Sequence, residues 1–241
     1  MAYTQYGNTK SKLTPLHPGV ATRINGTAVF NGHLSAARRG HPIWSWPLRW
    51  KGVANPALGP GQPGLIFIGD MCDIFIQGRR SEIIDRICGT VALSPHIGML
   101  LTRRTKRMAD YFATLDPRTA RRWQPKLWLG FSAENQAWLD RRWADVRALA
   151  NSGWFTFVSI APMIGPVTLP DDFLKLGRWV IVAGERGRLR KIRAMRPAWA
   201  RAVRDQCRDH GIPLFVKQMA KFKARPPDLR IRQFPRPMSF R

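Results

Sequence analysis

Four carboxylates and three cations stand out because each follows closely on a short apolar run. Asp70 and Asp73 come after Leu65-Ile66-Phe67-Ile68, Glu134 after Leu127-Trp128-Leu129-Gly130-Phe131, and Glu185 after Trp179-Val180-Ile181-Val182. Arg103 and Arg104 come after Met99-Leu100-Leu101, and Lys217 after Pro213-Leu214-Phe215-Val216. Carboxylates so placed can accept hydrogen bonds from a sugar or an amine. Asp73, Glu134, Glu185 and Lys217 are the candidates for catalysis. Arg103, Arg104 and Lys217 can hold a phosphate or carboxylate, arginine in bidentate fashion. Asn135 and Gln136 offer the donor–acceptor pairs that read a base edge. Asp70, Ser132 and Gln218 complete the binding set. Structural alternatives stand beside these roles: Asp73 and Asn135 can cap the next helix, and Glu134 can pair with Arg103.

The runs that deliver these residues read as buried parallel strands, because they are short and continuously apolar. Six are expected, at 65–68, 99–101, 127–131, 155–158, 179–182 and 213–216. Helical spacing separates them. Ile83, Ile84, Ile87, Cys88 and Val91 share one face, as do Met108, Tyr111, Phe112 and Leu115, and then Leu139, Trp143, Val146 and Leu149. Pro197 suits a helix start and Gly211 a helix stop. Strand–helix alternation predicts an α/β fold with right-handed crossovers. The first expectation is a full or partial TIM-like β/α barrel. An open doubly wound sheet is the alternative, weakened because no Gly-rich dinucleotide fingerprint follows any strand. In either fold the six strand ends converge on one face, where sites form.

Residues 1–64 read as a loop-rich basic segment, 65–218 as the barrel-like core and 219–241 as a basic tail rich in Pro and Arg. Trp44, Trp46 and Trp50 suit a packed loop or a base-stacking platform. The net charge is +25. Residues 1–51 carry seven basic residues and no acid; residues 186–241 carry seventeen basic residues against three acids. A field of that sign attracts nucleic acid or a phosphorylated small molecule, although Arg-rich solvated faces account for it too. No apolar run is long enough for a membrane span and the first residues are polar, so no membrane partner and a cytoplasmic location are expected. Cys72, Cys88 and Cys207 match no zinc spacing and read as reduced thiols. No metal site is expected from the spacing.

Several segments, in order, resemble a known family: 47–51, 66–75, 101–108, 127–136, 158–167, 179–185 and 205–218. They include Gly69-Asp70-Met71-Cys72-Asp73, Gly130-Phe131-Ser132-Ala133-Glu134-Asn135-Gln136, Ala183-Gly184-Glu185 and Phe215-Val216-Lys217-Gln218. The chain is similar here to the phage and prophage gp-thirty-seven/gp-sixty-eight family, which is related to radical S-adenosylmethionine enzymes. The resemblance implies S-adenosylmethionine and a four-iron four-sulfur cluster as cofactors, the cluster held by three clustered cysteines near the start. Here no cysteine precedes Cys72, and Ala161 stands where the family commonly has an acid. The expectation is a chain that lacks its front section or is a degenerate relative. Two functions follow. One is a radical S-adenosylmethionine-like enzyme acting on nucleic acid or nucleotides. The other is a non-catalytic nucleic-acid-binding or accessory protein, or a truncated prophage remnant.

Overall fold

The computed structural model describes residues 21–24, 27–30, 40–50, 63–69, 73–186 and 192–236. Ahead of the core, β1 (Ala21–Ile24) and β2 (Thr27–Phe30) pair antiparallel, with Ala21 opposite Phe30. A short helix α1 (Trp46–Arg49) follows a 3-10 turn at Pro42–Trp44. Trp46 stacks on Trp50 at 5.1 Å, and Trp50 leans on His96 at 4.6 Å. A Cβ on Gly64 would collide with the Trp50 ring, so glycine lets this loop close onto the start of the sheet. The tryptophans therefore pack a loop against the core, while Trp46 keeps an exposed face.

The sheet contains β3 (Leu65–Ile68), β4 (Ile97–Thr102), β5 (Leu127–Ser132), β6 (Phe155–Ile160), β7 (Trp179–Ala183) and β8 (Leu214–Gln218). All six are parallel and lie in chain order, β3-β4-β5-β6-β7-β8. Sequential order without a switch point belongs to barrels rather than doubly wound sheets. Six strands leave the barrel open, as a curled half-barrel. The connections carry α2 (Ser81–Ala92), α3 (Thr105–Ala113), α4 (Pro117–Trp123), α5 (Gln136–Asn151), α6 (Asp171–Leu176) and α7 (Pro197–Asp209).

Strand period two divides the core into two layers. Leu100, Leu127, Leu129, Phe131, Val158, Ile160, Val180, Val182, Leu214 and Val216 belong to the large cluster that includes the helices. Ile97, Trp128, Phe155, Phe157 and Trp179 form a second cluster on the opposite, concave side. There Trp128 stacks on Phe155 at 4.2 Å and meets Trp179 edge-on at 5.9 Å. A Cβ on Gly130 would run into the Phe157 ring, so glycine lets that ring lie across β5.

Two short helices were not expected. Asp116 starts α4 by accepting from the Arg118 and Thr119 amides, both at 3.0 Å, and α6 is only six residues long. The stretch read as a basic tail packs against the sheet as far as Pro235. Met219, Ala220 and Leu229 are buried. The Val216 amide donates to Ile231 at 3.0 Å, and the Gln233 amide donates to Leu214 at 2.9 Å. Phe234 lies 5.6 Å from Trp179 and 5.2 Å from Phe215. Asp228 accepts from Arg201 at 2.8 Å and Arg204 at 2.7 Å, both on α7. This segment covers the backbone of β8, which would otherwise be an open edge. Among the described residues no helix is long and apolar enough to cross a membrane.

Candidate ligand groove at the strand ends

The concave face opens into a groove of about 670 Å³. Leu65, Met99, Leu101, Phe157, Trp179, Ile181 and Phe215 supply its apolar walls. Its polar lining includes Arg103, Ser132, Ser159, Glu185, Arg193, Lys217 and Gln218. Five residues chosen from the sequence thus meet in one place: Arg103, Ser132, Glu185, Lys217 and Gln218. Asp73, Arg104, Glu134, Asn135 and Gln136 lie at the same strand ends but outside the groove lining. Asp70 falls outside the described residues, as does Cys72.

Strand parity explains Ser132 and Ser159, while a register shift between β7 and β8 brings the adjacent Lys217 and Gln218 both to the lining. Trp128, Gly130 and Ser132 point to the concave side of β5, and Phe155, Phe157 and Ser159 do so on β6. Ser132 and Ser159 are register partners, so two serines lie side by side on the lining. Lys217 follows Phe215 on the concave side of β8. It is exposed and makes no hydrogen bond or ion pair among the described residues. Gln218 works structurally: its side-chain amide donates to the Gly184 carbonyl at 3.0 Å, and the Gly184 amide donates to its carbonyl at 2.9 Å. A side chain on Gly184 would strike the backbone of Met219 and Ala220, so glycine lets the chain cross there.

Glu185 is bound from three sides by one residue. Arg193 donates through Nη2 at 2.7 Å, through Nε at 3.0 Å and through its backbone amide at 2.8 Å. These hydrogen bonds favour the carboxylate and hold its pKa down at about 2. The pair ties together the two ends of the β7–α7 connection.

The other two carboxylates are held by arginines of neighbouring loops and helices. Asp73 accepts from Thr102 Oγ1 at 2.8 Å, from Arg104 at 2.8 Å and from the Phe75 amide at 3.0 Å. Glu134 accepts from Arg103 and from Arg142, each at 2.8 Å. Arg142 also donates to the Ser132 carbonyl at 2.7 Å and so fixes the end of β5. Asn135 caps α5 by accepting from the Trp138 amide at 3.1 Å. Gln136 accepts from the Thr168 amide at 2.7 Å and donates to its carbonyl at 3.0 Å, which pins the β6–α6 loop. Three residues important to this end of the molecule were not singled out from the sequence: Ser159, Arg142 and Arg193. Matching the strand ends to one another would have found Ser159. Nothing in the spacing marks Arg142 or Arg193 as partners of Glu134 and Glu185.

Cys88 and Cys207 do not fit a cluster. Cys88 on α2 and Cys207 on α7 are buried in the helix-side core. Burial pushes both thiols upward, Cys207 to about 12 and Cys88 further. A thiol that stays protonated and enclosed is a poor iron ligand. Among the described residues, no three His, Cys, Asp or Glu side chains are grouped to hold a metal ion.

The chain is thus an α/β half-barrel whose strand-end groove carries aromatic side chains, an ammonium without a partner among the described residues and a carboxylate bound by Arg193. Residues 17–233 match the family described as Protein of unknown function (DUF5131), and the chain belongs to that family. No curated protein and no solved structure matches it.

Proposed function

We propose that the groove binds a nucleotide unit, free or within a nucleic acid. Its base lies against Phe215 and Phe234, which line the groove 5.2 Å apart over the buried Trp179, and its phosphate is held by Lys217 with Arg103 on the same lining. The observation that carries this reading is Lys217: an exposed ammonium without a protein partner among the described residues, on the rim of an aromatic groove. Aromatic faces stack on any base, and cations beside them hold the phosphate. Ser132 and Ser159 are placed to hydrogen-bond the sugar or base. Glu185 acts here by holding Arg193 at the rim.

The sequential six-stranded half-barrel supports a second reading, a phage-type relative of radical S-adenosylmethionine enzymes using the same groove for a nucleotide substrate. Cys88 and Cys207 do not supply its cluster, so no step of such chemistry is assigned to this chain's residues.

Lys217→Glu tests the groove, because the side chain is exposed and its reversal leaves the core intact. Lys175→Glu, on α6 away from the groove, controls for net charge. Anisotropy with a labelled oligonucleotide, and competition by ATP, should show affinity falling about tenfold or more in Lys217→Glu. Lys175→Glu should change it by less than about twofold. Equal effects of the two substitutions would reject the groove.

A further inference from the structure

The groove does not end at its rim. Arg103 also forms part of a second cleft, of about 390 Å³, that includes the start of α3 and residues of α5. Six cations line that cleft, Arg103, Arg104, Lys106, Arg107, Arg141 and Arg142, against only two carboxylates. Both carboxylates are already engaged: Asp110 by Lys106 at 2.8 Å, and Asp145 by the Thr105 hydroxyl at 2.6 Å. Arg141 makes no ion pair among the described residues.

Trp138 stands in the same cleft and is 40% exposed. The Arg142 guanidinium sits over its ring at 4.3 Å and that of Arg141 at 5.5 Å. Arg142 is buried, and its Nε has no hydrogen-bond partner among the described residues. An indole held against arginines yet open to solvent is a stacking surface with cations at its border.

We propose that the two clefts form one path and that the ligand is a single-stranded nucleic acid. The strand leaves the groove over Arg103, stacks a base on Trp138 and sets its phosphates on Arg104, Lys106 and Arg141. This rests on the reading of the groove given above and narrows it from a nucleotide unit to a polymer. A mononucleotide fills one aromatic-and-cation site; two such sites sharing Arg103 suit successive nucleotides. The strand is single because bases reach aromatic faces only when unpaired.

The test uses the full chain and unlabelled thymidine oligomers of three and twelve nucleotides, competing against a labelled probe. The longer oligomer should bind the parent protein at least about tenfold more tightly. Trp138→Ala should weaken the longer oligomer about tenfold and leave the shorter one unchanged, while Trp138→Phe restores most of the loss. If Trp138→Ala leaves the longer oligomer unchanged while Lys217→Glu weakens both, the path is overturned and the groove stands. Equal losses at both lengths in Trp138→Ala also overturn the path. If Lys217→Glu affects neither oligomer, the groove fails and the path with it.

Discussion

Arg142 reaches from α5 with 7% of its side chain exposed and binds both the Ser132 carbonyl and Glu134. Glu134 keeps a second partner in Arg103, but that side chain is 58% exposed and well solvated. Arg142→Met retains the bulk and removes the charge. It leaves Glu134 with only its outer partner and a buried carbonyl unsatisfied. The expected loss is about 3 kcal/mol, read as a lower urea midpoint at unchanged slope. A loss below about 1 kcal/mol would mean that the solvated pair with Arg103 is sufficient. Glu185 gives a pH prediction. Its pKa is depressed from an ordinary 4.5 to about 2, so the stabilisation from Arg193 is full above the first value and disappears as pH falls through the second. A carbon-13 titration of Glu185 should show its midpoint near 2, and in Arg193→Ala the midpoint should return toward 4.5. A low midpoint that survives Arg193→Ala would assign the shift to another group.

The elements show which part of this was legible. Strands with continuous apolar runs, and helices with long apolar faces, were readable because the pattern repeats over enough residues. α4 and α6 carry one turn or two and offer almost no periodicity. The segment after β8 hid its apolar contacts, Leu229, Ile231 and Phe234, among prolines and arginines. The site divides in the same way. Inside a regular strand alternation fixes which side a residue takes, and Ser132 follows it; at the end of β8 the register shifts against β7, and Lys217 and Gln218 both reach the groove. Beyond the strand end alternation stops, and Glu134 is held by a helix partner no spacing announces. The covered edge of β8 carries its own prediction. Removing residues 226–241 takes away Asp228, Leu229 and Phe234 and bares the edge of β8 beside Trp179 and Phe215. Such an edge pairs with other chains. The truncated protein should show concentration-dependent association by light scattering where the full chain does not. Unchanged scattering would mean that the segment is dispensable to the sheet.

Across the whole molecule the charge is arranged rather than merely large. Of the carboxylates, Asp73, Asp110, Glu134, Asp172, Glu185, Asp205, Asp209 and Asp228 are all bound by arginine or lysine. The acids hold the fold together; Lys217 and Arg141 have no acidic partner among the described residues, and the Arg103, Arg104 and Lys106 side chains stay 58%, 43% and 76% exposed beside theirs. Two accounts of +25 then differ in one measurable slope. Cations spread over solvated faces give weak, diffuse attraction that substitution at any one position barely changes. A strand seated on Lys217, Arg103, Arg104, Lys106 and Arg141 releases a fixed number of counterions. Log affinity should then fall against log salt with a slope of about −3.5, since each of five phosphates neutralised on a single strand contributes about −0.7. Raising salt fourfold should weaken binding roughly 130-fold. Lys217→Glu should make the slope shallower by about 0.7, because one phosphate contact disappears. If the parent slope is steep but Lys217→Glu leaves it unchanged, the polyanion is bound by the basic chain ends and not by the half-barrel.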